Sequence, residues 1–391
     1  MHETGIEGYY AIRDGKKLYY GYTTGTCAAA AAKAAALMLA TGGPVPCVDI
    51  LTPKGIALNL EVLEAERTAQ RAKCAIRKDA GDDPDVTDGI LVYAEARWSN
   101  TPGVHVDGGE GVGRVTKPGL KQAIGEAAIN PVPMQMIRAA AEEALDEQGV
   151  SAGLDIVISI PAGVELAKRT FNPRLGIVGG ISVLGTSGIV EPMSEAALVE
   201  SIQLELRQKY ALGCRRLLVS PGNYGADFLR TLCAVEESEL VKCANFIGQT
   251  IDAAAETGYP ELLFISHIGK FIKLAGGIMN THSREADARG ELMAACALRA
   301  GADADTARAI MDCLTTDEML RILQRAGMLE ATMAVAGEKI DYYLNYRARG
   351  QITLGAIVFS DETGILCTTG PAAQWLEELK SRDTNTGGST P

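Results

Sequence analysis

The sequence is short of the features that mark several common protein classes. Its nine cysteines never fall in a Cys-x-x-Cys pair. Neither a disulfide framework nor a zinc site is therefore expected, no metal is assigned, and a reducing cytosol fits best. Positive charge is in deficit, with a formal net charge of −12. A nucleic-acid or anionic-membrane surface would need a dominant basic field, so neither partner is expected. Long apolar runs are missing too. The nearest approach to a membrane span, Ala28–Ala40, is short, mostly alanine and interrupted by Lys33. The first seventeen residues, MHETGIEGYYAIRDGKK, hold no apolar signal core, which points to a cytoplasmic protein. There is no internal repeat, and no G-x-G-x-x-G follows a strand-like run. Ser266-His-Ile-Gly-Lys270 is not a P-loop, because Phe264 stands where the upstream glycine belongs.

What remains is the composition of a globular protein, 47% hydrophobic and 22% charged over 391 residues, enough for two domains. In the first half, Thr26–Leu39 reads as a helix of small residues that must pack with its backbone close to a neighbour. Val48–Thr52, Ile56–Leu63, Ala72–Arg77, Ile90–Ala96 and Asp155–Ile160 read as strands, with a short helix over Ala69–Lys78 as the alternative for the third, and Met134–Glu147 as an amphipathic helix. In the second half, short apolar runs at Ile177–Val183, Arg216–Ser220, Val241–Phe246 and Leu262–Ser266 each precede a helical stretch. That alternation implies a parallel sheet. A run of helices over Ser283–Arg347 leads to a last strand at Ile352–Phe359. The expectation is an α/β protein with an α+β domain over 1–160, a parallel-sheet domain over 161–380, and a disordered polar tail over 381–391.

The candidate chemistry lies in loops. Leu175–Val190, LGIVGGISVLGTSGIV, carries no charge and reads as a buried strand ending in a tight turn, Gly185-Thr186-Ser187-Gly188. With a helix following Glu191, this makes a ligand-binding corner. Ser220-Pro-Gly222-Asn223-Tyr-Gly225 resembles a second corner. Tyr22-Thr23-Thr24-Gly-Thr26-Cys27 opens the alanine-rich helix. Its hydroxyls and free N–H groups suit an anion, against the plainer reading of an N-cap, and Cys27 there would have a lowered pKa. Lys78–Gly89, KDAGDDPDVTDG, is an acidic turn. It fails the calcium-loop register, because the sixth position from Asp83 is Asp88 and the twelfth is Ala94. Its aspartates either orient a cation, accept a proton, or only form Asx turns. Asp107–Gly113 matches D-x-G-x-G-x-G but lacks the long strand before and helix after that a methyltransferase loop needs. Arg114, Lys117 and Lys121 supply local positive charge there, and Lys168, Arg169 and Arg174 do so beside the uncharged stretch. His267, Lys270, Lys273 and His282 gather where ligands bind in open α/β sheets.

Six of these segments together resemble one family. They are GYTTGTCAAAA from Gly21, KDAGDDPDVTDG from Lys78, GGEGVGRVTKPGL from Gly108, GEAAINPVP from Gly125, AKRTFNPRLGIVGGISVLGTSGIVEPMS from Ala167 and SHIGKFIKLAGGIMNTHSR from Ser266. In this order they are similar to the CbiD family, the cobalt-precorrin-5B C1-methyltransferases of anaerobic cobalamin synthesis. The resemblance implies a Rossmann-like second domain, S-adenosylmethionine as methyl donor, and a tetrapyrrole substrate that brings its own cobalt. On that chemistry Thr23, Thr24, Thr26, Arg114, Lys117, Arg169, Arg174, Lys270, Lys273 and His282 are expected to hold the substrate's carboxylate arms. Gly185, Thr186, Ser187, Gly188, Gly222 and Asn223 are expected at the methyl donor, both loops on the second domain with the tetrapyrrole between domains. His267, Asp82 and Asp85 are the candidate bases. A homodimer is compatible with the sequence. The rivals are a nicotinamide-dependent reductase and a non-catalytic tetrapyrrole carrier.

Overall fold

The structure, a computed structural model, describes residues 3–13, 15–170, 172–173 and 175–386. The chain is mixed α/β and divides into two compact units, Met1–Glu195 and Ala196–Pro391. The first unit thus extends well past the expected boundary at 160. The reason lies in main-chain pairing. Gly180-Ile181 ladders with Gly111-Val112, Ile177-Val178 with Arg114-Val115, and Ile189-Val190 with Gly21-Tyr22. Leu175–Val190 is therefore not one long strand. Positive φ angles at Gly176, Gly179, Gly185 and Gly188 break it into two-residue pieces.

Unit 1 is built on a five-stranded sheet and two helices, α1 (Thr24–Thr41) and α2 (Pro131–Glu147). The strands are β1 (Leu63–Arg67), β2 (Arg71–Arg77), β3 (Leu91–Ser99), β4 (Val104–Gly108) and β5 (Gly153–Ser159), in the order β1-β2-β3-β5-β4. Only the β5–β4 pairing is parallel. Helix α1 lies between β2 and β3 on one side and α2 on the other. Apart from Lys33, every residue from Cys27 to Ala36 is fully buried. Methyl groups suffice there because the neighbours close onto the helix backbone. Lys33 reaches out of this packing to Glu143 (3.0 Å) and Glu147 (3.8 Å) on α2. Gly42, at φ 71°, ends the helix in the left-handed region and returns its N–H to Met38. Among the described residues α1 is the one helix long and apolar enough to cross a membrane by length and composition, and it is buried as a core helix here.

Unit 2 follows the expected alternation. After α3 (Glu195–Ala211) come β6 (Arg216–Ser220), α4 (Asn223–Leu232), β7 (Leu240–Lys242), α5 (Ile247–Thr257) and β8 (Glu261–His267). Next are a single turn, α6 (Ile268–Phe271), and helices α7 (Arg289–Arg299), α8 (Ala304–Met311), α9 (Thr316–Arg325) and α10 (Leu329–Ala348). Strands β9 (Thr353–Ser360) and β10 (Gly364–Thr369) and helix α11 (Ala372–Thr386) close the chain. The sheet order is β7-β6-β8-β9-β10, parallel except for β10. Alternate strand residues serve two cores. Leu217, Val219, Phe264 and Val358 pack with α5, α6, α7 and α10, while Leu218, Leu263, Ile265 and Phe359 pack with α4 and α11. A sheet covered on both faces reads as continuous apolar runs, which is why these strands were visible in the sequence. The expected tail is shorter than the sequence suggested, because residues 381–386 continue α11 and only 387–391 lie outside the described residues.

Candidate functional site

In unit 1 the expected ligand motifs face one another. Thr23 caps α1, its hydroxyl accepting the Thr26 N–H (3.2 Å). Gly25 N–H donates to Leu184 O (2.8 Å), Thr24 Oγ1 accepts the Leu184 N–H (3.0 Å), and Thr26 Oγ1 donates to Gly188 O (2.6 Å). All three threonines are buried. The groups expected to meet an anion are thus engaged by Leu184, just before the Gly185–Gly188 turn, and by Gly188, its last residue. The glycines of that turn provide closeness to protein, not to a ligand. A Cβ on Gly185 would lie 2.2 Å from Thr23 Oγ1, and one on Gly188 would lie 2.9 Å from Thr52 Cβ. The turn, with Thr186 and Ser187, therefore belongs to unit 1 and not to the parallel-sheet domain. Cys27 is fully buried, and burial pushes its thiol up to about 12, the reverse of the expected lowering.

The acidic turn is likewise self-contained. Asp82 Oδ2 accepts the Tyr19 N–H (2.6 Å), Asp83 Oδ1 the Met193 N–H (2.9 Å) and Asp88 Oδ1 the Ala80 N–H (2.8 Å). Asp85 accepts from Thr87 N–H and from buried Lys78 Nζ at 2.8 Å. Burial alone would raise the Asp85 pKa, but the Lys78 ammonium and these hydrogen bonds outweigh it and hold the carboxyl below its ordinary value. Asp82 and Asp85 are structural acceptors, which argues against either as the base. Arg114 grips Asp107 with two parallel bonds (2.7 and 2.8 Å) and donates to Gly108 O. The glycines of Asp107–Gly113 allow strand contact, since a Cβ on Gly111 would fall 1.7 Å from Ile160 O. Lys117 and Arg169 are exposed, and Arg174 lies outside the described residues.

The open geometry is at the carboxyl edge of the unit 2 sheet. The chain leaves β6 for α4 on one face and leaves β8 for α6 on the other. Where neighbouring strands send their chains to opposite faces, the loops part and leave a crevice. The loops at that position are Ser220–Asn223 and His267–Lys270. Ser220 Oγ donates to Gly222 O (2.7 Å) and shapes the first loop. A Cβ on Gly225 would fall 2.2 Å from Ser220 Oγ, so α4 sits tight on the sheet, whereas Gly222 has nothing within 4 Å. No side chain caps α4, which leaves its first N–H groups available. Lys270 Nζ reaches Pro221 O (3.3 Å) across the crevice, and burial lowers its pKa.

His267 ends β8. Its Nδ1 accepts the Gly269 N–H (3.1 Å), Phe359 stands edge-on to the ring, and Nε2 lies 3.9 Å from Asp317 Oδ1. Two expected partners do something else. Lys273 is buried and holds Thr281 O (3.2 Å) and Ala286 O (2.7 Å), and His282 Nδ1 accepts the Arg284 N–H (3.0 Å). Both brace the loop after residue 277. Sequence reasoning missed Asp317 and Tyr224. Asp317 hides inside an ordinary capping box, Thr315 with Glu318. Tyr224, 70% exposed at the start of α4, is an unpartnered aromatic next to a small-residue loop, a signal that was available.

Comparison with known proteins gives one answer along the chain. The profile of the CbiD family matches residues 11–192, and that of the CbiD C-terminal domain matches residues 280–370. A cobalt-precorrin-5B C(1)-methyltransferase of Ruminiclostridium cellulolyticum is 48% identical over 90% of this chain and 91% of its own length. Enzymes of that name from Alkaliphilus metalliredigens and Thermoanaerobacter sp. are 46% and 45% identical over 95% and 94% of this chain, and 98% and 99% of their own length. A solved structure, titled as a cobalamin biosynthesis protein (cbiD) from Archaeoglobus fulgidus, is 29% identical. It covers 73% of this chain and 89% of that one at a TM-score of 0.39.

Proposed function

Because the chain belongs to the CbiD family, we propose that it is a C-methyltransferase which methylates ring carbon C1 of cobalt-precorrin-5B, giving cobalt-precorrin-6A in cobalamin synthesis. The observation that carries this is the 48% identity to an enzyme of that name over nine-tenths of both chains. The methyl donor in this reading is S-adenosylmethionine, which when bound supplies an electrophilic methyl group on a sulfonium sulfur. The crevice of unit 2 fits it better than the Gly185–Gly188 turn does. The open space at Gly222 admits a ligand against the main chain, and the uncapped start of α4 offers N–H donors to the methionyl carboxylate. Tyr224 presents a ring face to the adenine. We read unit 2 as Rossmann-like on the strand order that creates this crevice.

The chain's own work is positioning. Holding donor and acceptor carbons at about 3–3.5 Å supplies much of the rate in a transfer of this kind. The ring's conjugated electrons make the nucleophile, so no covalent protein adduct is needed. Lys270 is a cation at the crevice for a carboxylate arm of the substrate. On unit 1, Arg114 is committed to Asp107, whereas Lys117 and Arg169 are exposed. The test is mass spectrometry of the tetrapyrrole after incubation with donor carrying an isotopically labelled methyl. One labelled methyl at C1 is expected. An unchanged tetrapyrrole that still binds the protein identifies a carrier instead.

A further inference from the structure

Resting on that methyltransferase reading, we propose that Asp317 is the proton acceptor of the reaction, and that His267, whose Nε2 lies 3.9 Å from Asp317 Oδ1, is its neighbour and not the base. The argument starts at the imidazole. His267 Nδ1 accepts the Gly269 N–H at 3.1 Å, which caps the turn beginning at Ile268. A ring nitrogen that accepts carries no proton, so the neutral ring carries its proton on Nε2. Neither nitrogen is then left to take a proton from substrate. Protonating Nδ1 would set two N–H donors against each other.

Nε2 lies 3.9 Å from Asp317 Oδ1, beyond hydrogen-bond distance. That oxygen is buried and has no hydrogen-bond partner. A buried carboxylate oxygen left unsatisfied costs stability, and such exceptions call for a reason. The Asp317 side chain as a whole is 39% exposed, so its exposure falls on atoms other than Oδ1. Oδ1 thus lies on the imidazole side while the rest of the side chain is reachable. The edge-on contact with Phe359, ring centroids 5.6 Å apart, keeps the imidazole in this orientation. Thr316, beside Asp317, lies against the same turn. A Cβ on Gly269 would come within 3.4 Å of Thr316 Oγ1, so α9 brings Asp317 to the end of β8.

The chemistry needs such a group. Ring carbon C1 supplies the electron pair of the new C–C bond, and the pair of the broken C–S bond stays on sulfur. The macrocycle has then gained one positive charge. It discharges that charge by releasing one ring proton, whose bonding pair returns to the conjugated system. The proton goes to the Asp317 carboxylate and from there to water. Removing a positioned base of this kind costs about 10²–10⁴-fold.

The experiment uses the full-length chain with three variants. Asp317→Asn is expected to lower kcat by about 100-fold or more, with methyl-donor binding by calorimetry and the melting temperature unchanged. Asp317→Glu, which restores a carboxylate, is expected to recover part of the rate. His267→Gln, which keeps a donor N–H but cannot take a proton, is expected to stay within about tenfold of the parent. Nitrogen-15 NMR of the histidines at neutral pH is expected to show the Nε2–H tautomer at His267. An Asp317→Asn enzyme within threefold of the parent overturns the proposal. So does a His267→Gln enzyme as slow as Asp317→Asn, or an Nδ1–H tautomer. Should Asp317→Asn fail to fold, the His267→Gln rate and the tautomer decide alone. A parent chain that methylates nothing defeats the functional reading instead, and the tautomer still reports on the pair.

Discussion

Gly185 in unit 1 and Gly222 in unit 2 both sit in small-residue loops that follow apolar runs. A Cβ on Gly185 would lie 2.2 Å from Thr23 Oγ1, whereas one on Gly222 would meet nothing within 4 Å. The same contrast extends to the charges. In unit 1, Lys78 is tied to Asp85 and Arg114 to Asp107. At the sheet edge of unit 2, Lys270 has one carbonyl and Asp317 keeps a bare oxygen. Motif residues of the two units look alike in sequence and have opposite fates. In the first they satisfy one another, and in the second some remain available for a ligand. A glycine-rich or hydroxyl-rich loop therefore becomes a candidate site only once its neighbours have been counted.

The sharpest way to break this contrast is Gly111→Ala. Gly111 has φ 73°, and the added methyl would fall 1.7 Å from Ile160 O. Strain and overpacking together should cost about 4 kcal/mol, seen as a large loss of melting temperature. Lys78→Met comes next. Its ammonium, 2% exposed, pairs with Asp85 at 2.8 Å. Removing it should destabilise the chain by about 3 kcal/mol in urea unfolding, because the carboxylate loses its partner. Milder again is the acid limb. The depressed pKa of Asp85 in the folded chain means that its contribution is complete above the unfolded value, about pH 4. That contribution is lost as pH falls through the lower folded value. Asp85→Asn should therefore flatten the stability–pH slope below about pH 4 and leave the neutral-pH slope alone. Smallest in stability is Gly222→Ala. Its backbone is extended and its surroundings are open, so urea unfolding should shift by less than about 0.5 kcal/mol. Methyl-donor affinity should still fall about tenfold, or 1.4 kcal/mol by calorimetry. Equal stability losses at Gly111 and Gly222 would erase the distinction between the units.

The double-sided core of unit 2 was legible because strands buried on both faces appear as short apolar runs, as Arg216–Ser220 and Glu261–His267 do. The alanine-rich helix was legible for the same local reason. The placement of Leu175–Val190 was not, since its partners at residues 21–22 and 111–115 lie far off in sequence. Periodicity cannot report a two-residue ladder. The loops at Gly222 and His267 were expected after strands, and the structure places them there. The roles of Lys273 and His282 were misjudged, because a side chain that braces its own loop and one awaiting a ligand have the same letter. Asp317 escaped since its closeness to His267 arises only when α9 packs over α6.

Helix α1 carries a consequence for synthesis. Most of its packing partners lie in residues 71–77, 91–99 and 131–147. At about 5–20 residues per second the ribosome needs roughly five to twenty seconds to deliver the last of them. For that interval the segment is an orphan, apolar enough to tempt a membrane insertase. Lys33, near its middle, would cost about 2.5–3.5 kcal/mol at the centre of a bilayer, a penalty on mis-sorting the nascent chain before it has anything to fold upon.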